Sequence, residues 1–262
     1  MSILTAVIIV TVIGAVGGIG LCVCSHFMDV PSDEKAEKIL AVLPGANCGG
    51  CGYSGCEAYA AALSSGKASP GACAPGGAAA AAKIAEILGV DAADAKQMVA
   101  FVKCDGTNDR NKKQINYNGI MTCTAANMYY GGEGTCKYGC LGYGDCAAVC
   151  KFDSIKIENG KATVDREKCV GCGSCVKVCP KRVIKLIPKD AKTAVKCANK
   201  EKALLAKPVC TSSCIGCGIC AKKCQSGAIV IDENLAKFNF DKCVGCGECA
   251  AACPRKAIIT LS

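Results

Sequence analysis

The sequence predicts an α+β chain of several small domains strung behind one apolar N-terminal helix. Three observations point there. Residues 1–28 hold no Asp, Glu, Lys or Arg. Cysteine makes up 26 of 262 residues, and most of it falls in short repeating runs. Between those runs lie short extended segments in pairs, such as Ile155–Ile157 and Ala162–Val164 around Asn159-Gly160, which read as hairpins. Trp is absent and aromatics are few, so a large conventional core is not expected. Bound metal must then supply much of the folding energy.

In chain order, Ile3 to Val23 is an apolar run of about the length that crosses a bilayer. Gly14, Gly17, Gly18 and Gly20 would let a partner helix approach closely. A cleaved signal peptide would need a basic start and an A-x-A site, and neither is present. Leu21 before Cys22 argues against a lipoprotein site. Residues 1–28 are therefore expected to be a retained single-span transmembrane anchor. Cys22 and Cys24 read as small apolar fillers at its end, and His26, the only histidine, as juxtamembrane. The nearby charges Asp29, Asp33, Glu34 and Lys35 do not fix an orientation.

Asp33 to Leu43 predicts a short amphipathic helix with Ala36, Ile39, Leu40 and Leu43 on one face, ended by Pro44. Cys48, Cys51, Cys56 and Cys73 follow, spaced C-x2-C-x4-C-x16-C, with a helix expected from Glu57 to Leu63. These define a small metal-cluster domain over residues 29–76. Gly50, Gly52 and Gly55 also satisfy G-x-G-x-x-G, but no strand precedes them and cysteines interleave them, so a dinucleotide site is rejected. Residues 77–135 read as an Ala-rich helical spacer and a cysteine-containing connector, with the Ala-rich helices either packed on the first cluster domain or acting as a spacer. Ala78 to Leu88 predicts one helix, stopped at Gly89, and Asp91 caps a second that runs to Val102. Cys104 and Cys123 lie in a polar stretch with Lys112, Lys113 and Tyr117, which reads as a solvated loop.

The densest signal comes last. Cys169, Cys172, Cys175 and Cys179, then Cys214, Cys217, Cys220 and Cys224, then Cys243, Cys246, Cys249 and Cys253 all read C-x2-C-x2-C-x3-C. That is the bacterial ferredoxin spacing for [4Fe–4S] clusters. Three thiolates on one tight loop grip three corners of a cubane, and interleaved glycines let the backbone fold around the sulfurs. Zinc sites instead use two separated C-x2-C pairs. A fourth run, Cys136, Cys140, Cys146 and Cys150, is irregular: Tyr143 stands where the second cysteine belongs, Cys136 is the natural substitute, and Lys151 replaces the usual Pro. Strands are expected at Val183–Ile187, Ala228–Ile231, Leu235–Phe240 and Ile258–Leu261. Residues 136–188 thus form one ferredoxin-like module, and residues 189–262 a connector and a second.

The fourth cysteine of each run ligates the other cluster of its pair. Cys169, Cys172 and Cys175 then go with Cys150, and Cys136, Cys140 and Cys146 with Cys179. Cys214, Cys217 and Cys220 go with Cys253, and Cys243, Cys246 and Cys249 with Cys224. With the N-terminal set this makes five [4Fe–4S] clusters. Cys104, Cys123, Cys197 and Cys210 remain, enough for a sixth. Cys136 and Cys210 sit at equivalent places before their runs and could exchange roles. Each cluster with its thiolates carries about −2, so six would bring the formal +9 to roughly −3. Nucleic acid is therefore not expected as a partner.

The order of an anchor, LPGANCGGCGYSGC, an Ala-rich segment, GTCKYGCLGYGDCAAVC and the regular runs resembles the B subunit of the Rnf complex, in its cluster-rich form from anaerobes. The resemblance covers essentially the whole chain. It implies an electron-transfer component of an ion-translocating ferredoxin:NAD oxidoreductase. Soluble ferredoxin would be the electron donor, other membrane subunits the recipients, and nicotinamide and FMN would bind elsewhere. No acid–base or nucleophilic residue is expected here, and the uncharged span would not carry the Na+ or H+. Lys168, Lys177, Lys181, Lys222, Lys223 and Lys242 are candidates for tuning clusters or docking an acidic ferredoxin. Clusters are assembled in the cytoplasm, which places the soluble part there, on the cell membrane. The rivals are an anchored polyferredoxin for a hydrogenase or corrinoid-protein activase, and a disulfide- or zinc-stapled structural protein.

Overall fold

The computed structural model describes residues 3–27, 33–90 and 96–261. The N-terminal run forms one helix, α1 (Ile3–Phe27), of 25 residues. Its Val7, Ile8, Val10, Ile13, Val16, Ile19 and Leu21 face outward without protein cover, and Cys22 is exposed beside them. The side chains of Cys24 and His26 lie outside what is described. Counted over described residues alone, no helix is long and apolar enough to cross a membrane. In α1 the described side chains run unbroken only over residues 7–23.

The small N-terminal domain is built on α2 (Glu34–Val42) and α3 (Cys56–Ser64). Asp33 caps α2 by accepting from the Lys35 N–H at 3.0 Å, and the predicted apolar face buries Ile39 and Leu43. The Ala-rich helix α4 (Gly77–Leu88) stops at Gly89, whose φ of 67° is left-handed. It is not a free spacer: Ile84 and Ala80 pack with Ile39, Tyr59 and Leu63 into one core.

A second helix ending at Val102 does not form. Residues 91–95 lie outside the description, and Met98–Val102 is a strand, β1. Its Val99, Ala100, Phe101 and Val102 are all buried, which one face of a surface helix would not allow. A helix α5 (Cys123–Met128) rises from the polar stretch expected to be loop, and α6 (Asp145–Ala148) follows. The hairpin of β2 (Ile155–Glu158) and β3 (Lys161–Val164) is as predicted, with Ile155 opposite Val164. After α7 (Ser174–Val178) comes β4 (Ile184–Pro188), which pairs antiparallel with β1 from Met98↔Pro188 to Val102↔Ile184. The first ferredoxin-like module therefore takes a strand from the stretch read as connector.

The second module repeats the plan. Its opening strand β5 (Thr193–Val195) also comes from the expected connector, followed by α8 (Ala203–Val209), α9 (Ile219–Lys223) and the hairpin β6 (Ile229–Asp232) with β7 (Leu235–Phe238). After α10 (Glu248–Ala251), β8 (Ile258–Thr260) closes on β5, with Val195 opposite Ile258. Each module is thus two two-stranded sheets with short helices between them, small cores that leave room at their centres.

Candidate metal centres

The run loops share one geometry. In each, the third cysteine sits in a short helix and is buried: Cys146, Cys175, Cys220 and Cys249. Glycines on either side of the second position turn left-handed, as at Gly171 (φ 70°) and Gly173 (φ 78°). A side chain at Gly171 would put its Cβ 2.2 Å from the Met98 carbonyl oxygen, because β1 lies directly across the cysteine loop. Gly142 and Gly144 flank Tyr143 with the same left-handed angles, 76° and 91°. The irregular run is a ferredoxin loop in backbone, with a tyrosine where a thiol should be.

Cysteines gather in groups of four. Burial raises the Cys73 thiol, and Cys56, Cys48 and Cys51 raise it further. Burial pushes Cys175 up to about 12, with Cys169, Cys172 and Cys150 adding to it. Cys214, Cys217, Cys220 and Cys253 line one cavity. Cys249 is raised by burial and then by Cys243, Cys246 and Cys224. These four groups are the predicted ones.

The other two exchange a member. Cys123, Cys140, Cys146 and Cys179 line one cavity, and Cys104, Cys136, Cys197 and Cys210 line another. Cys136, expected beside Cys140 and Cys146, lines the second cavity, and Cys123 takes its place in the first. Tyr143 packs its ring against Tyr117, 6.0 Å between centroids, and bonds to Glu133, outside the cavity. α5 brings Cys123 to that cavity from the side. Asp145 holds that helix in place, accepting from the Cys123 N–H at 2.8 Å and from the Thr124 N–H and hydroxyl at 3.0 and 2.9 Å. Burial alone would raise the Asp145 carboxyl, but these bonds hold it below its ordinary 3.8. Its stabilising effect is therefore present above that value and lost as pH falls through the lowered one. Asp145→Ala is expected to cost about 2–3 kcal/mol through the lost charged hydrogen bonds, read by denaturant unfolding. It should also take about four irons from the chain.

The last group lies at the seam between the modules, with two cysteines from each. Cys104 and Cys197 follow β1 and β5 in matching V-K-C steps, and Cys136 and Cys210 each stand four residues ahead of a run. The hydrogen bonds match too. Gly106 N–H reaches Cys104 Sγ at 3.4 Å and Asn199 N–H reaches Cys197 Sγ at 3.4 Å. Cys140 N–H donates to Cys104 Sγ and Cys214 N–H to Cys197 Sγ, both at 3.3 Å.

The donor chemistry fits cubanes. Burial pushes Cys136 and Cys146 to about 12 and Cys140, Cys197 and Cys220 to about 11, with neighbouring cysteines adding to each shift. Four such thiolates need a cationic centre among them. Among the described residues no three His, Cys, Asp or Glu side chains converge closely enough for a single ion. The described cysteines are all free of disulfides. Backbone N–H groups aimed at sulfur, as from Ala100 to Cys169 at 3.2 Å and Ala257 to Cys253 at 3.3 Å, suit a bound anionic cluster. Of the candidate lysines, Lys177 donates to the Gly49 carbonyl at 3.3 Å and Lys181 to the Lys137 carbonyl at 2.7 Å, so both tie loops together. Lys168, Lys222, Lys223 and Lys242 are exposed.

Family models agree with this geometry. An Fe-S cluster model matches residues 43–75, a 4Fe-4S binding domain residues 162–185, and a 4Fe-4S dicluster domain residues 213–257. The chain is 45% identical to the B subunit of the Na(+)-translocating ferredoxin:NAD(+) oxidoreductase complex of Acetobacterium woodii, over 92% of its own length and 73% of the relative's. It is 39% identical to the proton-translocating counterpart from Clostridium ljungdahlii, over 90% and 84%. The B subunit of the ion-translocating oxidoreductase complex of Methanosarcina acetivorans is 35% identical over 94% of both chains. The chain belongs to the family of B subunits of ion-translocating oxidoreductase (Rnf) complexes. Like those relatives, it is an iron–sulfur electron-transfer component of a redox complex, and its cysteine domains are of the 4Fe-4S type.

Proposed function

We propose that this Rnf-type chain is a membrane-anchored relay of six [4Fe–4S] clusters between soluble ferredoxin and the other subunits of its complex. Bound clusters supply one-electron transfer. The chain's part is to line up their ligands and insulate them. The observation that supports the reading is a set of contacts that joins the six cysteine groups from one to the next. The Cys48 group abuts the Cys172 loop, where Ser174 Oγ reaches the Cys48 carbonyl at 3.5 Å. Within module 1, Cys146 lies near Cys175. The two N–H···S bonds from Cys140 and Cys214 join the seam group to both modules. Cys220 and Cys249 share one core in module 2.

The series gives the chain two ends. The Cys48 group lies nearest α1 in sequence, and the Cys243 group is farthest from it, with Cys246 exposed. We assign the outer end to the ferredoxin donor and the inner end to the membrane partners. A 25-residue helix is about 37 Å long, enough for a hydrocarbon core of about 30 Å. Residues 3–23 bear no charge, so α1 is read as a single span, with the cluster domains on the cytoplasmic side of the cell membrane. Nicotinamide and flavin chemistry falls to other subunits.

The test compares the full chain with one starting at residue 29. The full chain should sediment with membranes and resist carbonate extraction, and the shortened one should be soluble. Both should be bleached by reduced low-potential ferredoxin under anaerobic conditions. A full chain that carbonate strips from membranes would end the anchor reading, and clusters untouched by reduced ferredoxin would end the relay.

A further inference from the structure

We propose that Asp105 is the positioning residue of the seam group, holding its two halves in register and setting the charge beside it; this rests on the seam group binding a cluster. Asp105 directly follows Cys104, and its side chain is only 14% exposed. Three cations converge on it. Lys161 Nζ, at the start of β3, lies 2.7 Å from Oδ1, and Lys196 Nζ, the residue before Cys197, lies 3.2 Å from it. Arg110 donates to Oδ2 and also reaches Ser212 Oγ at 3.0 Å, two residues past Cys210. One carboxylate thus touches the backbone neighbourhood of Cys104, Cys197 and Cys210, which come from both modules.

Stability alone does not explain this arrangement. Lys161 is 12% exposed and Lys196 23%, and burying such a group of charges costs more desolvation than apolar packing would. Nor is it a by-product of the repeat, because the matching place after Cys197 is Ala198. One negative and three positive charges leave a net +2 against a four-thiolate group. That net charge favours the more reduced, more negative form of whatever the thiolates hold. Removing the carboxylate raises the local charge, and removing Lys161 lowers it. The two substitutions must therefore move the seam potential in opposite directions.

The experiment is a redox titration followed by EPR on the anaerobically reconstituted full chain, with iron measured alongside. Variants are Asp105→Asn, Asp105→Glu and Lys161→Gln. In Asp105→Asn one signal should become on the order of tenfold more reduced at fixed potential, about 59 mV upward for a one-electron couple, while Lys161→Gln moves that signal downward. Should Asp105→Asn lose about four irons, Asp105→Glu is expected to restore them. If it does not, the Lys161→Gln shift decides. Full iron with an unmoved potential in Asp105→Asn, or equal-signed shifts in the two charge variants, overturns the proposal. A wild-type chain with only about twenty irons would instead refute the seam cluster itself.

Discussion

Cys136→Ala is expected to lower the iron content from about 24 to about 20 per chain, one cubane's worth, while both ferredoxin-like modules keep all eight of their thiols. Cys136 lines the seam cavity with Cys104, Cys197 and Cys210, and it does not line the cavity of Cys140, Cys146 and Cys179. The reduced-state spectrum should lose one component and retain the coupled pairs of each module. Cys123→Ala removes the same amount of iron from a different place. It strips one wall from the cavity that Cys123 lines with Cys146, Val183 and Ile184, so it should also lower resistance to denaturant, and Cys136→Ala should do so less. Iron and acid-labile sulfide on both variants, after the same anaerobic reconstitution, check this. If Cys136→Ala uncoupled the module 1 pair and Cys123→Ala left it intact, the assignment of the two cysteines would be reversed.

That exchange marks where sequence ceased to be sufficient. Spacing picked out the three regular runs, because their geometry is local: loop, turn and short helix within about a dozen residues. It also found the N-terminal group and the β2–β3 hairpin. Its failures are non-local. Met98-Val-Ala-Phe-Val102 suits a buried helix or a buried strand equally, and the partner that decides, Ile184–Pro188, lies more than eighty residues on. Cys123 has no spacing that ties it to Cys140; its place comes from Asp145 reaching back to cap α5. The seam group did leave a trace. V-K-C recurs at 102–104 and 195–197, and C-x3-C at 136–140 and 210–214. Read as a repeat, that pairs Cys104 with Cys197 and Cys136 with Cys210, leaving Cys123 for the gap at Tyr143.

Gly50→Ala should separate holding clusters from connecting them. Gly50 belongs to the glycine pattern that mimics a nucleotide fingerprint, and its actual constraint is contact. A Cβ there would lie 2.8 Å from the Cys172 carbonyl oxygen and 3.1 Å from its Cα. That neighbour is backbone and cannot swing aside, so the N-terminal domain must lift off module 1, at about 1–3 kcal/mol by the usual cost of overpacking. None of Cys48, Cys51, Cys56 and Cys73 need move relative to one another, since α2, α3 and α4 close their own core. Iron content should therefore stay at the wild-type value. Electron equilibration between the N-terminal group and the rest should slow, read as a second, slower phase when reduced ferredoxin is mixed with the chain. Lys177→Ala and Lys151→Ala offer a graded comparison, because each removes only hydrogen bonds across the same contact, to Gly49 at 3.3 Å and to Ala46 and Asn47 at 3.2 and 3.1 Å. They should slow the same phase less than Gly50→Ala does. Were Gly50→Ala to leave every phase unchanged at full iron, the junction at Cys172 would not be the route between the two domains, and the series would have to reach the membrane side by another contact.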